Sequence, residues 1–336
     1  MKDAAVVILN WNGKHFMEKY LPTLVLYTCS ADSFIVIADN GSIDGSVEWI
    51  KQNYPDIRII EFDMNYGFTG GYNRALKEID ADYYVLLNSD IEVTSGWLDS
   101  MVSFMEENPD IGICQPKILS VNNKDYFEYA GACGGYLDYY GYPFCRGRIL
   151  SNIEKDNGQY DTPVEVFWAS GACMMIRSSI YHHLGGLDES FFAHMEEIDL
   201  CWRSKLLGYQ VWAYPASVVY HVGGGTLPNN SPRKLYLNYR NNLLMLYKNL
   251  PTNVRDRKIF VRKCLDGISA MVYILSGRYS YFKAVLNAHR DFNKMKKDVD
   301  VSSFSDERND VGLYGGSIVL KFFLSGAKLT FGKLRF

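Results

Sequence analysis

Three acidic side chains stand close together along the chain: Glu196, Glu197 and Asp199. A Gly185-Gly186 turn and several aromatic residues precede them, and an apolar pattern with helical spacing follows. Negative charge is favoured at the start of a helix, and a carboxylate held there beside apolar surface can act as a base. Elsewhere in the chain an Asp and a His, two residue types that bind metal ions, stand at the ends of apolar strands. Together with them, the three acids predict a metal-dependent group transfer.

Helical spacing separates the three acids from one another. Glu196, Asp199 and Arg203 share one face, and we interpret the i,i+4 pair of Asp199 and Arg203 as a surface ion pair. Glu197 lies on a different, less polar face. Glu197 is therefore the predicted general base, and Glu196 and Asp199 are secondary candidates. The alternative is that all three acids are solvated charges at a helix start.

Two further residues, Asp90 and His221, have the chemistry of metal ligands. Asp90 directly follows an apolar strand, and His221 ends one just before Gly223-Gly224-Gly225. Carboxylates bind hard divalent cations together with phosphate oxygens, and imidazole suits Mn²⁺ better than Mg²⁺. We therefore predict that Asp90 and His221 hold Mn²⁺ or Mg²⁺ against a diphosphate. The alternatives are a helix N-cap for Asp90 and a hydrogen-bonded core histidine for His221.

Polar clusters follow four successive predicted strands. They are Asn10-Trp11-Asn12-Gly13, Asp39-Asn40-Gly41-Ser42, Asn65-Tyr66-Gly67-Phe68 and Asn88-Ser89-Asp90. One such cluster is typical of a turn, but four at the same edge of a sheet indicate nucleotide binding. Segment 67–71 lacks the GxGxxG pattern of dinucleotide-binding enzymes, which argues against hydride transfer. Arg240 suits a phosphate, with a salt bridge to the acidic body as an equal alternative.

The elements that must position these residues can be read from hydrophobic spacing. Apolar runs at 4–9, 34–38, 57–62 and 83–87 predict buried strands, and 14–28, 47–53 and 70–77 have helical spacing. This alternation predicts an α/β fold with a Rossmann-like, mostly parallel central sheet and flanking helices, whose ligands bind at the carboxyl ends of the strands. Further along we predict strands at 164–176 and 209–219, and helices at 190–207, 233–250 and 254–297. A polar linker at 298–310 and an amphipathic element at 311–336 follow.

Charge is unevenly distributed along the 336 residues. Residues 1–250 carry 19 Lys+Arg and 30 Asp+Glu, residues 251–300 carry 11 and 5, and residues 311–336 carry 4 and none. The basic C-terminal end indicates attraction to a membrane surface, whereas the acidic body argues against nucleic acid. We interpret 311–336 as a helix lying on a bilayer. The alternatives are docking on its own domain or in a homodimer.

The seven cysteines form no CxxC pair, and no secretory signal pattern follows Met1. We therefore expect reduced thiols and a cytoplasmic protein, peripheral on the inner face of the cytoplasmic membrane of a bacterium. No apolar run approaches the roughly 18 residues of a spanning helix.

In combination and in order, these motifs resemble those of inverting family-2 glycosyltransferases with a GT-A fold, and more closely rhamnosyltransferase-like bacterial members. The resemblance covers about residues 3–250, and it is carried by the four polar clusters, Asn73, Ser170-Gly171-Ala172-Cys173, Gly185-Gly186-Leu187-Asp188-Glu189 and Tyr220-His221. It implies that Asp39 reads the nucleotide base, that Asp90 ends a DXD-type metal motif and that His221 is a further metal ligand. It also implies that Glu197 takes the place of the catalytic base, since the family usually has Glu-Asp where this chain has Glu196-Glu197.

The resemblance implies transfer of a rhamnose-like sugar from a dTDP or UDP donor to a saccharide acceptor, with inversion, in cell-surface polysaccharide or lipopolysaccharide O-antigen biosynthesis. By family analogy the acceptor is lipid-linked. We expect a transferase domain at 1–250, with a nucleotide-binding half at 1–110 and an acceptor-binding half at 111–250, and a basic helical extension at 251–336.

The predicted nucleotide-sugar-binding residues are Asn10, Asn12, Asp39, Asn65, Gly67, Asn73, Asn88, Ser89, Trp168 and Arg240. Two alternative functions stay open. One is an inactive sugar-binding or scaffolding protein of the same fold, and the other is a sugar-phosphate nucleotidyltransferase.

Overall fold

The computed structural model describes residues 3–28, 32–129, 131–223, 231–299, 312–325 and 329–336. Its strands are β1 (Ala4–Asn10), β2 (Ser33–Asp39), β3 (Arg58–Glu61), β4 (Tyr83–Leu87), β5 (Ile91–Val93), β6 (Ile111–Ser120), β7 (Gly135–Asp138), β8 (Pro143–Cys145), β9 (Arg148–Ile149), β10 (Asn152–Ile153), β11 (Val164–Glu165), β12 (Cys173–Arg177), β13 (Gln210–His221) and β14 (Leu313–Tyr314). Its α-helices are α1 (Lys14–Thr28), α2 (Ser46–Asn53), α3 (Gly67–Leu76), α4 (Trp97–Glu107), α5 (Ser178–His183), α6 (Glu196–Leu206), α7 (Pro232–Asn249), α8 (Thr252–Leu275), α9 (Tyr279–Met295) and α10 (Ile318–Ser325).

A large central sheet organises the molecule. Among the described residues it has nine strands, in the order β11-β13-β6-β12-β4-β1-β2-β3, with β5 paired to β13. Strands β1, β2, β3, β4, β6 and β13 run in one direction, and β5, β11 and β12 oppose them. The predicted α/β fold with a mostly parallel central sheet is therefore confirmed.

Strand β1 shows why the parallel half of the sheet has continuous apolar strands. Alternate side chains of a strand point to opposite faces of the sheet. Val6 and Ile8 join one buried core with Met17 of α1, whereas Ala5 and Val7 join the core on the other face. Because both faces are covered, neither set of side chains can be polar.

A second, smaller sheet takes up part of the C-terminal segment. Its strand order is β10-β9-β8-β7-β14, and β14 runs parallel to β7. Phe331 and Phe336 then pack on Tyr136 and Phe144, with ring centroids 4.8 to 6.5 Å apart. The prediction of one amphipathic element over 311–336 is therefore wrong in part: of the described residues 312–325 and 329–336, Ile318–Ser325 forms an α-helix, whereas β14, Phe331 and Phe336 pack on the small sheet.

The helices α7, α8 and α9 pack against one another after the central sheet. Arg262 and Asp266 of α8 form a buried ion pair at 2.9 Å. Arg262 also donates to Asn242 of α7, and Tyr142 donates to Asp266, so this pair ties three parts of the chain together. No helix in the described ranges is long and apolar enough to cross a membrane.

Two predicted elements have different bounds in the structure. The predicted strand at 164–176 is divided into β11 and β12, and segment 166–172 separates them. The predicted helix at 190–207 begins only at Glu196, because Phe192, His194 and Met195 have φ angles of 64°, 71° and 73°, which no α-helix accommodates. Residues 224–230 and 300–311, which include two of the glycines after His221 and most of the predicted linker, lie outside the described residues.

Candidate active site

The first two polar clusters form one hydrogen-bonded network at the ends of β1 and β2. Asn10 is fully buried, and its Nδ2 donates to Asp39 Oδ1 at 2.8 Å. Asp39 Oδ2 accepts from the backbone amide of Ser42 at 2.9 Å. Asn12, at a φ of 51°, accepts from the amide of Ile43 at 2.8 Å through Oδ1. The structure therefore brings Asn10, Asn12 and Asp39 together at the carboxyl edge of the sheet.

Asn40, which was not among the predicted site residues, connects this network to the third cluster. Its Nδ2 donates to Asn65 Oδ1 and to the carbonyl of Gly67, each at 3.0 Å. Gly67 has a φ of 74°, and a Cβ there would lie 2.5 Å from Phe192 Cδ2. Glycine is needed at this position for both reasons. Asn65 and Gly67 thus shape a loop that contacts the segment leading into α6.

Asn73 braces the turn at Gly185-Gly186. Its Oδ1 accepts from Tyr181 Oη at 2.7 Å and from the amide of Leu187 at 2.9 Å, and its Nδ2 donates to the carbonyl of Leu187 at 2.7 Å. The side chain is buried, and these bonds occupy its amide group. This placement supports a structural role and gives no support to the predicted contact with a nucleotide sugar.

Asp90 and His221 lie side by side because β13 pairs with β5. His221 is opposite Ile91, which directly follows Asp90, and His221 Nε2 lies 3.1 Å from Asp90 Oδ1. Both side chains are buried. The N-cap residue of the following helix is Gly96, so Asp90 does not cap it. The two predicted metal ligands are thus neighbours, as metal binding requires.

Glu128, which no sequence motif indicated, lies against the other ring nitrogen of His221. Glu128 Oε2 is 3.3 Å from His221 Nδ1. A Cβ on Gly223 would lie 2.5 Å from Glu128 Oε1, so glycine leaves room for this carboxylate. Burial opposes a charge on His221, but the carboxylates of Asp90 and Glu128 outweigh it and raise the pKa of the imidazole to about 10.

The chemistry of this group fits a divalent cation bound through Asp90 and His221. A ligating histidine commonly donates its second ring N–H to a carboxylate, and Glu128 is in that position. Mg²⁺ is commonly bound by one or two carboxylates, with water and substrate phosphates as further ligands. Since a protonated imidazole nitrogen cannot ligate, metal and proton compete for Nε2. Among the described residues, no group of three His, Cys, Asp or Glu side chains is arranged to hold a metal ion.

Asn88 and Ser89 are partly exposed beside this pair. Asn88 Nδ2 lies 3.5 Å from His221 Nε2, and the amide of Asn88 donates to the carbonyl of Ala172 at 2.9 Å. Ser89 Oγ faces Gly13, where a Cβ would be 3.5 Å away. The 88–90 turn therefore contacts both the first polar cluster and segment 170–172.

The loop before α6 is held in a strained conformation. Its left-handed non-glycine residues are Phe192, His194 and Met195, and such residues cost roughly 1–3 kcal/mol each. Asn241 of α7 stabilises the loop: its Nδ2 donates to the carbonyls of Phe191, Ala193 and His194 at 3.0, 2.8 and 2.7 Å. Asn241 is therefore a positioning residue, although only its neighbour was predicted to belong to the site.

That neighbour, Arg240, also contacts the loop. Its guanidinium donates to the carbonyls of Ser190 and Phe191 at 3.1 and 3.0 Å and to Asn241 Oδ1 at 2.8 Å. Among the described residues no carboxylate of the acidic body pairs with Arg240, and its contact with a phosphate stays a prediction. The placement assigns Arg240 to the support of the loop.

Glu197 lies in the first turn of α6, directly after this loop. It is partly exposed, and its side chain adjoins Gly171, where a Cβ would lie 3.5 Å from Glu197 Cβ. Burial raises the pKa of Glu197 to about 7, against the backbone amides at the helix start, which lower it. Within the described part of the chain, Glu197 Oε2 has no hydrogen-bond partner. Such a carboxylate is suited to accept a proton near neutral pH.

The other two acids of α6 are buried. Burial and the neighbouring Glu197 raise the pKa of Glu196 well above its usual range. Asp199 Oδ2 accepts from Arg203 Nε at 2.8 Å and from Lys248 Nζ at 3.1 Å. The interpretation of Asp199 and Arg203 as a surface ion pair is wrong, because both side chains are buried and Lys248 of α7 joins them.

Trp168 is part of the hydrophobic core. Its indole N–H donates to the carbonyl of Tyr136 at 3.0 Å, and the side chain is only 4% exposed. A Cβ on Gly135 would come within 2.0 Å of the ring, so the backbone of β7 lies directly on it. Trp168 joins the small sheet to the central part of the molecule, which gives no support to its predicted contact with a nucleotide sugar.

The fold is that of the GT-A glycosyltransferases. A mannosyltransferase from Pyrobaculum calidifontis, solved with GDP-Man and Mn²⁺, matches with a TM-score of 0.54 at 12% identity over 88% of each chain. TarS 1–349 of S. aureus, solved with UDP-GlcNAc, matches with a TM-score of 0.55 at 15% identity over 86% of this chain and 80% of that one. GalNAc-T7, solved with UDP, GalNAc and Mn²⁺, gives a TM-score of 0.58 at 16% identity over 74% of this chain, which spans about half (48%) of that structure.

Within that class, the chain belongs to glycosyl transferase family 2, whose model matches residues 5–185. An N-acetylglucosaminyl-diphospho-decaprenol L-rhamnosyltransferase of Mycobacterium tuberculosis is 26% identical over 66% of this chain and 76% of its own length. The rhamnosyltransferase WbbL of Escherichia coli is 23% identical over 64% of this chain and 82% of its own length. These similarities confirm the resemblance to rhamnosyltransferase-like members of the family.

Proposed function

We propose that this protein transfers a sugar from a nucleoside diphosphate to a hydroxyl group of a saccharide acceptor, with inversion at the anomeric carbon. The observation that carries the proposal is the state of Glu197: the residue is partly exposed, its buried Oε2 has no hydrogen-bond partner among the described residues, and burial raises its pKa. A general base needs those properties. Membership in glycosyl transferase family 2 makes a sugar acceptor the partner of that base.

In the proposed reaction, Glu197 removes the proton of the acceptor hydroxyl. The hydroxyl oxygen forms a bond to the anomeric carbon from one face, and the bond between that carbon and the diphosphate oxygen breaks on the other face. The bonding electrons leave with the nucleoside diphosphate, and the proton stays on Glu197 until solvent removes it. A single in-line displacement of this kind inverts the configuration of the anomeric carbon.

The network of Asn10, Asn12 and Asp39 is the proposed binding site for the nucleoside. Asn10 holds the carboxylate of Asp39 in place through a buried hydrogen bond. The base and ribose would bind at the outer edge of this network. Asp90 and His221 would hold Mn²⁺ or Mg²⁺, and such an ion, when bound, neutralises charge that develops on the departing diphosphate.

We infer the donor and acceptor classes from the relatives. Two of them are named rhamnosyltransferases, which favours a rhamnose-like sugar carried by dTDP or UDP. One is named for an acceptor built on diphospho-decaprenol, which favours a lipid-linked saccharide acceptor. The proposed role is therefore in cell-surface polysaccharide or O-antigen biosynthesis, on the inner face of the cytoplasmic membrane.

The proposal is tested with the purified full chain, a panel of dTDP- and UDP-sugars, and lipid-linked saccharides, with Mn²⁺ or Mg²⁺ added. We expect acceptor-dependent release of the nucleoside diphosphate, and an inverted anomeric configuration in the product by NMR. Donor binding in a thermal-shift assay without any turnover would instead identify a sugar-binding protein. Release of pyrophosphate from a nucleoside triphosphate and a sugar phosphate would identify a nucleotidyltransferase.

A further inference from the structure

Helix α8 exposes an apolar stripe to solvent. The residues of this α8 stripe are Phe260, Cys264, Ile268, Met271, Val272 and Leu275. Their spacing of three or four positions places them on one face of the helix. The stripe extends over about 22 Å at the rise of an α-helix. Large apolar side chains on it are 55% to 82% exposed, so they stand clear of the neighbouring helices.

The opposite face of α8 is equally unusual, because it buries charge. Arg262 and Asp266 point into the protein and pair with each other, at 4% and 0% exposure. The middle of the helix therefore directs its paired charges inward and its apolar side chains outward. An aqueous environment does not favour that arrangement, which indicates that another apolar phase covers the stripe.

Positive charge flanks both ends of the stripe. Arg257 is exposed near one end of the helix, and Arg278 and Lys283 are exposed just beyond the other. Residues 251–300 carry 11 Lys+Arg and 5 Asp+Glu. Of these acids, Asp266 is buried in its ion pair, Asp291 accepts from Arg290 and Tyr236, and Asp256 pairs with Arg255 at 3.3 Å, while Asp298 is exposed. The solvent-facing charge of this region is therefore mainly positive.

We propose that the α8 stripe docks on an anionic lipid bilayer, with the apolar side chains in the interface and the surrounding cations near the headgroups. An apolar face bordered by Lys and Arg is the pattern of helices that lie on such surfaces. A second copy of the chain fits less well, because a two-fold contact through the stripe would bring the same cations opposite one another. The inference rests on the proposed function for the lipid-linked acceptor, and it moves the predicted membrane contact from 311–336 to α8.

The test measures sedimentation of the full chain with sucrose-loaded vesicles, without donor or acceptor. Vesicles of phosphatidylcholine alone are compared with vesicles that also contain phosphatidylglycerol. We expect binding to the anionic vesicles, weakened by salt. The double variant Ile268→Glu/Leu275→Glu should lower the partition coefficient about tenfold or more, while its melting temperature stays that of the wild type, because both side chains contact solvent.

Two control variants test whether vesicle binding depends on the α8 stripe and not on exposed apolar side chains in general. Leu26→Glu changes a side chain of α1 that is 70% exposed, and it should leave vesicle binding unchanged. Phe323→Glu/Leu324→Glu changes the exposed apolar residues of α10, and it should reduce binding less than the α8 variant does.

Wild-type protein that does not bind anionic vesicles would overturn the inference. An α8 variant that binds vesicles like the wild type would do the same. So would a wild-type dimer in light scattering that the Ile268→Glu/Leu275→Glu substitutions abolish, if the wild type does not bind vesicles. Vesicle binding without sugar transfer would leave this inference standing and overturn the proposed function, and transfer to a water-soluble acceptor without vesicle binding would do the reverse.

Discussion

The side-chain amide of Asn241 donates to the carbonyl of His194 at 2.7 Å, across the gap between α7 and the loop that leads into α6. The same amide also reaches the carbonyls of Phe191 and Ala193. Left-handed backbone at His194 and at Met195 persists only where surrounding contacts enforce it. Because Glu197 follows this loop by two residues, Asn241 determines where the proposed base stands.

Replacing Asn241 by Ala should therefore reduce kcat more than the loss of a comparable buried hydrogen-bond donor elsewhere in the protein. The variant leaves three carbonyls without their donor, and we expect it to lose about 1–3 kcal/mol of unfolding free energy and to lower kcat by about tenfold or more, since small displacements of a catalytic group are costly. Chemical denaturation and steady-state kinetics give the two numbers. Ser217→Ala, which removes another buried donor to a carbonyl, is the control and should lose stability without losing kcat.

Glu197→Gln should separate catalysis from folding. Loss of a general base lowers kcat by about 10²–10⁴-fold, and the neutral amide keeps the shape of the side chain. Glu196→Gln is the matched control: its carboxylate is buried one position away, and we expect it to keep most of the wild-type kcat. Equal losses in the two variants would reject the choice of Glu197 over Glu196.

The pH dependence follows from the raised pKa of Glu197. Since the base works only when deprotonated, kcat of the wild type should fall as the pH drops through about 7, by about tenfold per pH unit below it. The sign for stability is opposite. Burial raises the folded pKa above the usual 4.5, so the contribution of this group is present below about 4.5 and is lost as the pH rises through about 7. The stability of Glu197→Gln relative to the wild type should therefore increase with pH, which thermal melts at several pH values will measure.

Some residues of this site could be predicted from the local sequence pattern, and others could not. Asp90, His221 and Asp39 were predicted because each follows or ends an apolar strand, and the carboxyl ends of such strands meet at one edge of a sheet. Glu128 and Asn241 were not assigned, because their roles depend on contacts with residues that are distant in the chain. The hydrophobic periodicity of the sequence carries no information on such contacts.

The burial of charged side chains is the second feature that could not be predicted from the sequence. Asp199 and Arg203 have the spacing of a surface pair, and only the docking of α7 shows that they are buried. The same holds for 311–336, where helical spacing was visible but the pairing of β14 with β7 was not. Hydrophobic spacing identifies elements reliably here, while their partners follow from tertiary packing.

Glu128→Gln tests whether this carboxylate orients a metal ligand. The variant keeps an oxygen near His221 Nδ1 but removes the charge, and loss of such a partner lowers metal affinity about 10–100-fold. We expect a correspondingly higher Mn²⁺ concentration for half-maximal activity, with kcat at saturating metal close to that of the wild type. Glu92→Gln on the neighbouring β5 changes a carboxylate that pairs with Lys124, and it should leave the metal requirement unchanged. A lowered kcat at every metal concentration would assign Glu128 a different role.

Asp199→Asn tests whether this acid is a structural anchor or a member of the catalytic group. The variant leaves Arg203 and Lys248 buried without the negative charge between them, and breaking a buried ion pair costs about 3–5 kcal/mol. We expect a large drop in the urea midpoint, with kcat per folded molecule near the wild-type value. Lys51→Ala is the control, because its partner Glu61 and Lys51 itself are 52% and 55% exposed, and such pairs contribute about 0–1 kcal/mol. If Asp199→Asn instead retained its stability and lost turnover, Asp199 would belong to the chemistry of the site.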